Sequence, residues 1–356
     1  MPGYLRGAAS PLDLVGAVVT APPFTFAIAL VLAATILAIR ANLALGGSRH
    51  VTASGMRSSG EARFAPERRA LRATSVAVAL AFIVEFVVSA YLPSETPAIA
   101  WRFAAPLACA AVGLAAVLAV IVVRGSGAPE RPVTPTARRT WLSFSPRASL
   151  IAAAGAALVL VATTLAAGLA SSTNAEGDFV WLEIPIPNAA SVDPIRLPFY
   201  GWAYGVPVLI GLAALLLVAG LTLQRSAARS FLRPETVIAE RVARRRTARD
   251  AALIATSATL LALAMAWRFI ARGGSVHSLT IDGQNGGAPF DAAWRYAEFA
   301  VVAGWAAPAV EVAALGILFL VAGSALRSGG GSGEADVAAS ASATASAHDA
   351  DAEITR

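Results

Sequence analysis

Four apolar runs in the sequence share one outline, in which a proline opens the run and an arginine closes it. The proline and the arginine are 18 residues apart in three runs and 19 residues apart in the fourth. The four pairs are Pro22 and Arg40, Pro106 and Arg124, Pro207 and Arg225, and Pro308 and Arg327. A helix of that length measures about 27 Å, close to the ~30 Å hydrocarbon core of a bilayer. The chain is therefore predicted to cross a membrane several times.

The low charge content supports this prediction. Only 14% of the 356 residues are charged, whereas about 25% is typical of a soluble domain. We predict an all-α integral membrane protein with seven transmembrane helices. The predicted spans are 24–45, 73–92, 103–123, 149–170, 200–224, 251–269 and 299–326. The polar gaps between these spans are too short to form a second, soluble domain.

Arginines are distributed unequally between the two sides of the predicted spans. The loops after the first, third and fifth spans carry 17 arginines, whereas the opposite side carries five. Because basic loops stay in the cytoplasm, the N-terminus is predicted outside and the C-terminus inside. Six of the seven tryptophans lie on the outer side, as expected of an aromatic belt. The lysine-free composition, rich in alanine and arginine, favours the plasma (inner) membrane of a bacterium.

The predicted spans divide into one lone span and three helical hairpins. Each hairpin begins with a basic cytoplasmic segment and ends with a helix that contains the proline and the closing arginine. The likeness of residues 202–220 to 305–323 favours a repeated hairpin, although proline-started helices in any alanine-rich chain look similar. Residues 1–23 are predicted to lie outside, 24–327 to form the seven-span bundle, and 328–356 to be a disordered cytoplasmic tail.

Three further predictions concern the loops and the helix ends. Residues 177–188 are expected to be extended and residues 276–287 to form a short strand and a glycine turn, together making a small outer cap. Residues 234–246 are expected to form a cytoplasmic helix that continues into the sixth span, with its basic side facing lipid phosphates. The prolines of the third, fifth and seventh spans mark helix starts or mild kinks, with a gating hinge as the alternative.

An Ala-Trp-Arg-aromatic pattern occurs three times at the predicted outer boundary, around Arg102, Arg268 and Arg295. The tryptophan favours headgroup depth, and the arginine offers a planar fork suited to phosphate or carboxylate. One interpretation is interfacial anchoring of these arginines on lipid phosphates. The other is a ring of cations around an outer vestibule that attracts an anionic or lipid-like ligand.

Two carboxylates lie inside predicted spans, Glu85 in the second and Glu311 in the seventh. An ionisable side chain in lipid costs at least ~2.5 kcal/mol, so both are expected to face the bundle interior. Arg268 is a candidate partner for either carboxylate, and Glu298 is placed to pair with Arg295 along one helix face. The cluster is interpreted either as a proton or cation relay or as a structural ion pair that joins hairpins.

Missing residue types exclude several kinds of cofactor chemistry. Without lysine the chain forms no Schiff base and is not a retinal pigment. The single cysteine, Cys109, excludes a disulfide within the chain and a site made of several thiolates. The histidines lie outside the predicted spans, which excludes a bis-histidine haem between helices. No cofactor and no metal are therefore expected, and no catalytic motif is found in the sequence.

The sequence favours a non-enzymatic membrane protein that is a subunit, or an assembly or signalling component, of a membrane complex. The expected partners are the bilayer and either another membrane protein or further copies of the chain. The net charge of +6 comes from arginines that flank the spans, so no nucleic-acid partner is expected. The alternative is a small transporter or permease that uses Glu85, Glu311 and Arg268. A lipid-modifying enzyme is the third possibility.

Overall fold

The computed structural model describes residues 21–46, 63–91, 97–125, 144–186, 194–231, 236–279 and 289–324. The α-helices described there are α1 (Pro22–Gly46), α2 (Ala65–Tyr91), α3 (Ala105–Gly125), α4 (Arg147–Ala170), α5 (Trp202–Ala228), α6 (Val237–Gly274) and α7 (Ala297–Ser324). A 3-10 helix (Pro97–Ala104) directly precedes α3. The predicted outer segment 1–23 lies almost wholly outside the described residues, and the predicted tail 328–356 lies wholly outside them.

Six of these helices, α2 to α7, are long and apolar enough to cross a membrane. The apolar part of α1 over Pro23–Ile39 falls into a shorter class of 10 to 17 residues. A multi-pass helical membrane architecture is thus confirmed, whereas a crossing by α1 and the in–out orientation stay predictions.

Strands occupy the described parts of both loops for which extended chain is predicted. Residues 187–188 and the predicted glycine turn, at 280–287, lie outside the described residues. The first sheet is antiparallel, in the order β1 (Ser172–Thr173), β2 (Phe179–Ile184) and β3 (Ile195–Pro198); the second pairs β4 (Ser278–Leu279) with β5 (Phe290–Asp291). Side chains alternate along β2, so Leu182 and Ile184 are buried. Glu183, between them, pairs with Arg196 on the adjacent strand. The fold is a helical bundle that carries two small sheets.

Both sheets lie at the same end of the bundle, which we call the sheet end. A Cβ atom on Gly273, near the end of α6, would lie 2.7 Å from the carbonyl oxygen of Pro198 in β3. The rings of Phe199 and Trp294, which follow β3 and β5, pack edge to face with centroids 5.4 Å apart. The first sheet therefore packs against the end of α6 and the segment that leads into α7.

The central helix of the bundle is α6. It contacts α2, α3, α4, α5 and α7, and 78% of its most apolar stretch is buried, against 28–44% in the other five spans. Its buried side chains between Ala251 and Ala266 are mainly alanine, serine and threonine. Small side chains let neighbouring backbones approach closely, which allows five helices to surround one.

The relative directions of α1, α6 and α7 follow from their contacts. Cβ atoms on Gly304 and Gly274 would lie 3.0 and 2.8 Å from the side chains of Ala271 and Ala300, so α6 and α7 are antiparallel. Thr25 of α1 bonds to Glu311 of α7. Twelve residues further along both helices, Gly323 of α7 faces Leu37 of α1. The two helices therefore run in the same direction, and both begin toward the sheet end.

The three prolines occupy different places in their helices. Pro106 is in the first turn of α3, as predicted for a helix start. Pro207 and Pro308 lie inside α5 and α7, so those helices begin before their prolines rather than at them. Proline has no N–H, so Pro308 removes the bond that position 308 would otherwise donate to the carbonyl of Gly304.

Candidate functional site

The predicted partnership of Arg268 with an intramembrane carboxylate is present at the contact between α6 and α7. The guanidinium of Arg268 holds the carboxylate of Glu311 with two hydrogen bonds, one from Nε to Oε1 and one of 2.6 Å from Nη2 to Oε2. From α1, the hydroxyl of Thr25 donates to the same Oε2 at 3.1 Å. Both oxygens of Glu311 are thus occupied, and the cluster joins three helices.

Burial of this cluster decides what it can do chemically. Glu311 is completely buried, whereas the side chain of Arg268 retains 20% exposure. The carboxylate oxygens of Glu311 accept charge-assisted bonds from an arginine and a bond from a hydroxyl group, which hold the carboxylate in one position. The geometry is that of a structural ion pair that fixes α1 and α7 against α6.

Glu85, the second candidate, interacts electrostatically with Arg102. Arg102 belongs to the 3-10 helix at the sheet end. Its guanidinium carbon lies 4.7 Å from the ring centroid of Phe103, 5.2 Å from that of Phe269 and 5.8 Å from that of Tyr204. Arg102 is thus an arginine near Glu85 that the sequence did not single out as a partner for it.

The three Ala-Trp-Arg-aromatic motifs have three different environments. Arg268 is neutralised by Glu311 and Arg102 is surrounded by aromatic rings, whereas Arg295 is exposed and donates to the hydroxyl of Tyr296. Glu298 is also exposed, and no ion pair joins it to Arg295 in the described part of the chain. The expected pair is not formed because Arg295 precedes α7, so the two residues do not share a helix face.

A second buried cluster of charges lies at the opposite end of the bundle, where sequence analysis assigns no candidate. Arg229, just after α5, donates to the carboxylate of Glu67 in the first turn of α2. Its other terminal nitrogen donates to the carbonyl oxygen of Ile121 in α3 at 2.9 Å. Both charged side chains are almost fully buried. One arginine thus connects the ends of α2, α3 and α5.

Arg244 of α6 extends this cluster to the chain that connects α5 and α6. Nη1 donates to the carbonyl oxygen of Arg229 at 2.7 Å, and Nη2 donates to that of Ser230 at 2.9 Å. Nη2 also lies 3.2 Å from Oε2 of Glu240, one turn earlier on α6. The ring of Phe231 lies under the guanidinium, with 4.4 Å between its centroid and the arginine carbon. The basic face predicted to meet lipid phosphates is therefore partly turned inward.

Sequence signals for this second cluster exist but are weak. Glu240 and Arg244 have the spacing of an ion pair along one helix, and Glu67 is an isolated acid among arginines. Arg229 and Arg244 resemble the other arginines that flank the spans. All of these arginines fit the positive-inside pattern, so the pattern does not distinguish the two that are buried.

Hydroxyl groups inside the spans bond to backbone carbonyls or to side chains of neighbouring elements. Thr256, Ser257 and Thr259 bond to backbone carbonyls one turn earlier on α6. Thr163 accepts a bond of 3.2 Å from Nε1 of Trp267, and Thr164 lies 3.3 Å from the hydroxyl of Tyr200. Among the described residues, no group of three or more His, Cys, Asp or Glu side chains is placed to hold a metal ion.

Comparisons with known proteins leave the chain's function to be argued from its own residues. No protein-family model matches the sequence, and neither a curated protein nor a solved structure matches the chain significantly.

Proposed function

We propose that the protein is a non-enzymatic multi-pass membrane protein that acts as a subunit, or as an assembly or signalling component, of a membrane complex. The main support is the ion pair of Arg268 and Glu311, in which both carboxylate oxygens already accept hydrogen bonds. Two bonds from the arginine and one from Thr25 occupy the buried carboxylate. A coupling group has to exchange its proton or ion with water, whereas a group that holds helices together does not.

The arrangement of the second carboxylate points the same way. Glu85 also has an arginine near its charge, because it interacts electrostatically with Arg102. The hydroxyl groups that could otherwise line a polar path bond to backbone or to neighbouring helices.

A surface suited to assembly runs along α4, which is the least buried of the six spans. Its exposed face carries small side chains at alternating spacings of four and three residues, the repeat at which helices associate in membranes. These residues are Ala148, Ala152, Gly155, Val159, Ala162 and Ala166. Lipid tails would cover any apolar face, but close approach of another helix favours small residues in this pattern.

The test of the proposal is a pair of glycine substitutions. A Cβ atom added at Gly155 of α4, or at Gly220 of α5, meets nothing within 4 Å in the protein. Neither Gly155→Leu nor Gly220→Leu should therefore disturb the fold of a single chain. We expect the wild type, extracted from its membrane in lipid nanodiscs, to have the mass of a defined complex. Gly155→Leu should lower the assembled fraction several-fold, and the matched control Gly220→Leu should not. A wild type that is a single chain without a stoichiometric partner would refute the proposal.

One observation favours transport as the second candidate function. Pro308 interrupts the hydrogen bonding of α7 one turn before Glu311, and Arg268 is not completely buried. Proton flux into proteoliposomes distinguishes the two functions. An assembly protein should give the flux of protein-free vesicles. A flux in the wild type that Glu311→Gln and Glu85→Gln abolish, and that the surface control Glu183→Gln leaves intact, would establish the transporter instead.

A further inference from the structure

Arg102 occupies an aromatic cluster at the sheet end that the proposed function does not use. The rings of Phe103, Tyr204 and Phe269 pack on one another with centroids 5.3 to 5.5 Å apart. They come from the 3-10 helix, α5 and α6, so the position of the cluster is fixed by three elements. The guanidinium of Arg102 lies within 6 Å of all three centroids, which holds its plane in place by cation–π attraction.

The hydrogen-bonding donors of Arg102 are not used by these rings. A guanidinium has five N–H donors and no acceptor. The Nε atom is buried without a hydrogen-bond partner. A buried donor without an acceptor costs about 1–3 kcal/mol. The guanidinium therefore has hydrogen-bonding capacity that the aromatic rings do not use.

The surrounding charges indicate the charge of the missing acceptor. Arg102 interacts electrostatically with Glu85, which attracts it, and with Arg272, which repels it. Arg272 is exposed at the end of α6. Arg102 and Arg272 thus place two positive charges near each other. A group with a single negative charge, such as a phosphodiester, would be attracted by both arginines.

The depth of the cluster indicates the source of that group. Trp101, next to Arg102, is 55% exposed, and an exposed tryptophan at a span boundary is typical of headgroup depth. The candidate span of α3 begins at Ala100, so Arg102 lies within its first turn. A phosphodiester at this depth belongs to a phospholipid.

We propose that Arg102, Arg272 and the exposed edge of Trp101 form a binding site for the phosphodiester of one phospholipid headgroup at the sheet end. The planar fork of Arg102, held against the rings, donates two parallel bonds to phosphate oxygens. Arg272 contributes a second positive charge. This inference is independent of the assembly proposed above, because it involves neither α4 nor the Arg268–Glu311 pair.

Native mass spectrometry of the detergent-solubilised chain, titrated with short-chain phosphatidylglycerol, tests the site. Arg102→Gln should weaken binding about tenfold or more, because a hydrogen-bonded charge is lost. The matched control is Arg295→Gln, which changes the same Trp-Arg-aromatic motif at an exposed position whose arginine already has Tyr296 as partner. It should change binding by less than about twofold. Inorganic phosphate at the same concentrations should not displace the lipid.

Three results would overturn the inference. They are unchanged binding by Arg102→Gln, equal weakening by Arg102→Gln and Arg295→Gln, and displacement of the lipid by inorganic phosphate alone. If Arg102→Gln does not fold, Arg102→Lys keeps the charge and removes the fork. A loss of at least about threefold in that variant supports the site, and wild-type affinity refutes it.

Discussion

Arg229 and Glu67 lie 162 residues apart in the chain and form an ion pair that is almost completely buried. The net stability gained from such a pair is small, because removing two charges from water costs nearly as much as their attraction returns. Breaking the pair is different, because the remaining charge stays buried after its partner is lost. The first prediction follows from this asymmetry.

Glu67→Gln should lower the free energy of unfolding by about 3 kcal/mol, because the buried guanidinium of Arg229 would lose the carboxylate to which it donates. Glu183→Gln is the matched control, since Glu183 also pairs with an arginine but at a site where the side chain of Arg196 is 63% exposed. That change should cost less than about 1 kcal/mol. Chemical unfolding in mixed micelles, followed by tryptophan fluorescence, measures both values. Equal losses would mean that the Arg229–Glu67 pair is solvated.

Arg244→Lys should loosen the chain that follows α5. Lysine cannot reach the carbonyl oxygens of Arg229 and Ser230 together with Glu240, as the arginine does. Release of this segment exposes the buried side chain of Arg229 to trypsin, so cleavage after Arg229 should become about tenfold faster.

The control for that experiment is Arg245→Lys, at the exposed neighbouring position. It should leave the cleavage rate after Arg229 unchanged. Faster cleavage in both variants would show that the bonds made by Arg244 do not hold the segment.

Thr25→Val should lower the free energy of unfolding by about 1 kcal/mol, because the bond from α1 to the buried carboxylate of Glu311 is lost while the side-chain volume is kept. Thr35→Val on the same helix is the control. The hydroxyl of Thr35 is exposed and bonds only to the carbonyl of Val31 in α1, so its loss should have little effect. If the two changes have equal effects, Thr25 does not stabilise the contact between α1 and α7.

Gly201→Ala should destabilise the protein by about 1–3 kcal/mol. The added Cβ atom would lie 2.1 Å from the carbonyl oxygen of Phe179, so β2 would have to move away from the start of α5. Gly155→Ala, where nothing lies within 4 Å, should be neutral or slightly stabilising because alanine favours helices. Thermal unfolding measures the effect of both substitutions. Equal unfolding midpoints for the two variants would show that β2 moves aside without a loss of stability.

Sequence patterns predict the elements that depend on local chemistry. Apolar runs of bilayer length locate α3, α4, α5 and α7 to within about four residues at each end, whereas α2 and α6 begin at Ala65 and Val237, well before the predicted spans 73–92 and 251–269. The arginines at the ends of α3 and α5 lie in the last turns of those helices. The pairing of Glu311 is predictable in kind, because a carboxylate in a span needs a partner, and Arg268 is near the right depth. The contribution of Thr25 is not predictable, because it depends on α1 packing in parallel against α7.

The buried charges at the end of the bundle opposite the two sheets cannot be predicted from the sequence, for a physical reason. Arginines accumulate there because of membrane topology, and a sequence contains no mark that separates a solvated arginine from Arg229 or Arg244. Which of them turns inward is determined by acceptors far away in the chain, such as Glu67 and the carbonyl of Ile121. The place of each proline is likewise left open by the sequence, because a proline can start a helix or interrupt one.

The small residues that allow five helices to surround α6 also affect how that helix enters a membrane. Alanine, serine and threonine contribute little to transfer into lipid, and α6 has the lowest mean hydropathy of the six candidate spans. The helix with the most protein contacts is thus the one that the bilayer alone retains least. Insertion of α6 should therefore depend on contacts with the helices that precede it in the chain. A chain truncated before α6 should form a bundle that lacks its central helix.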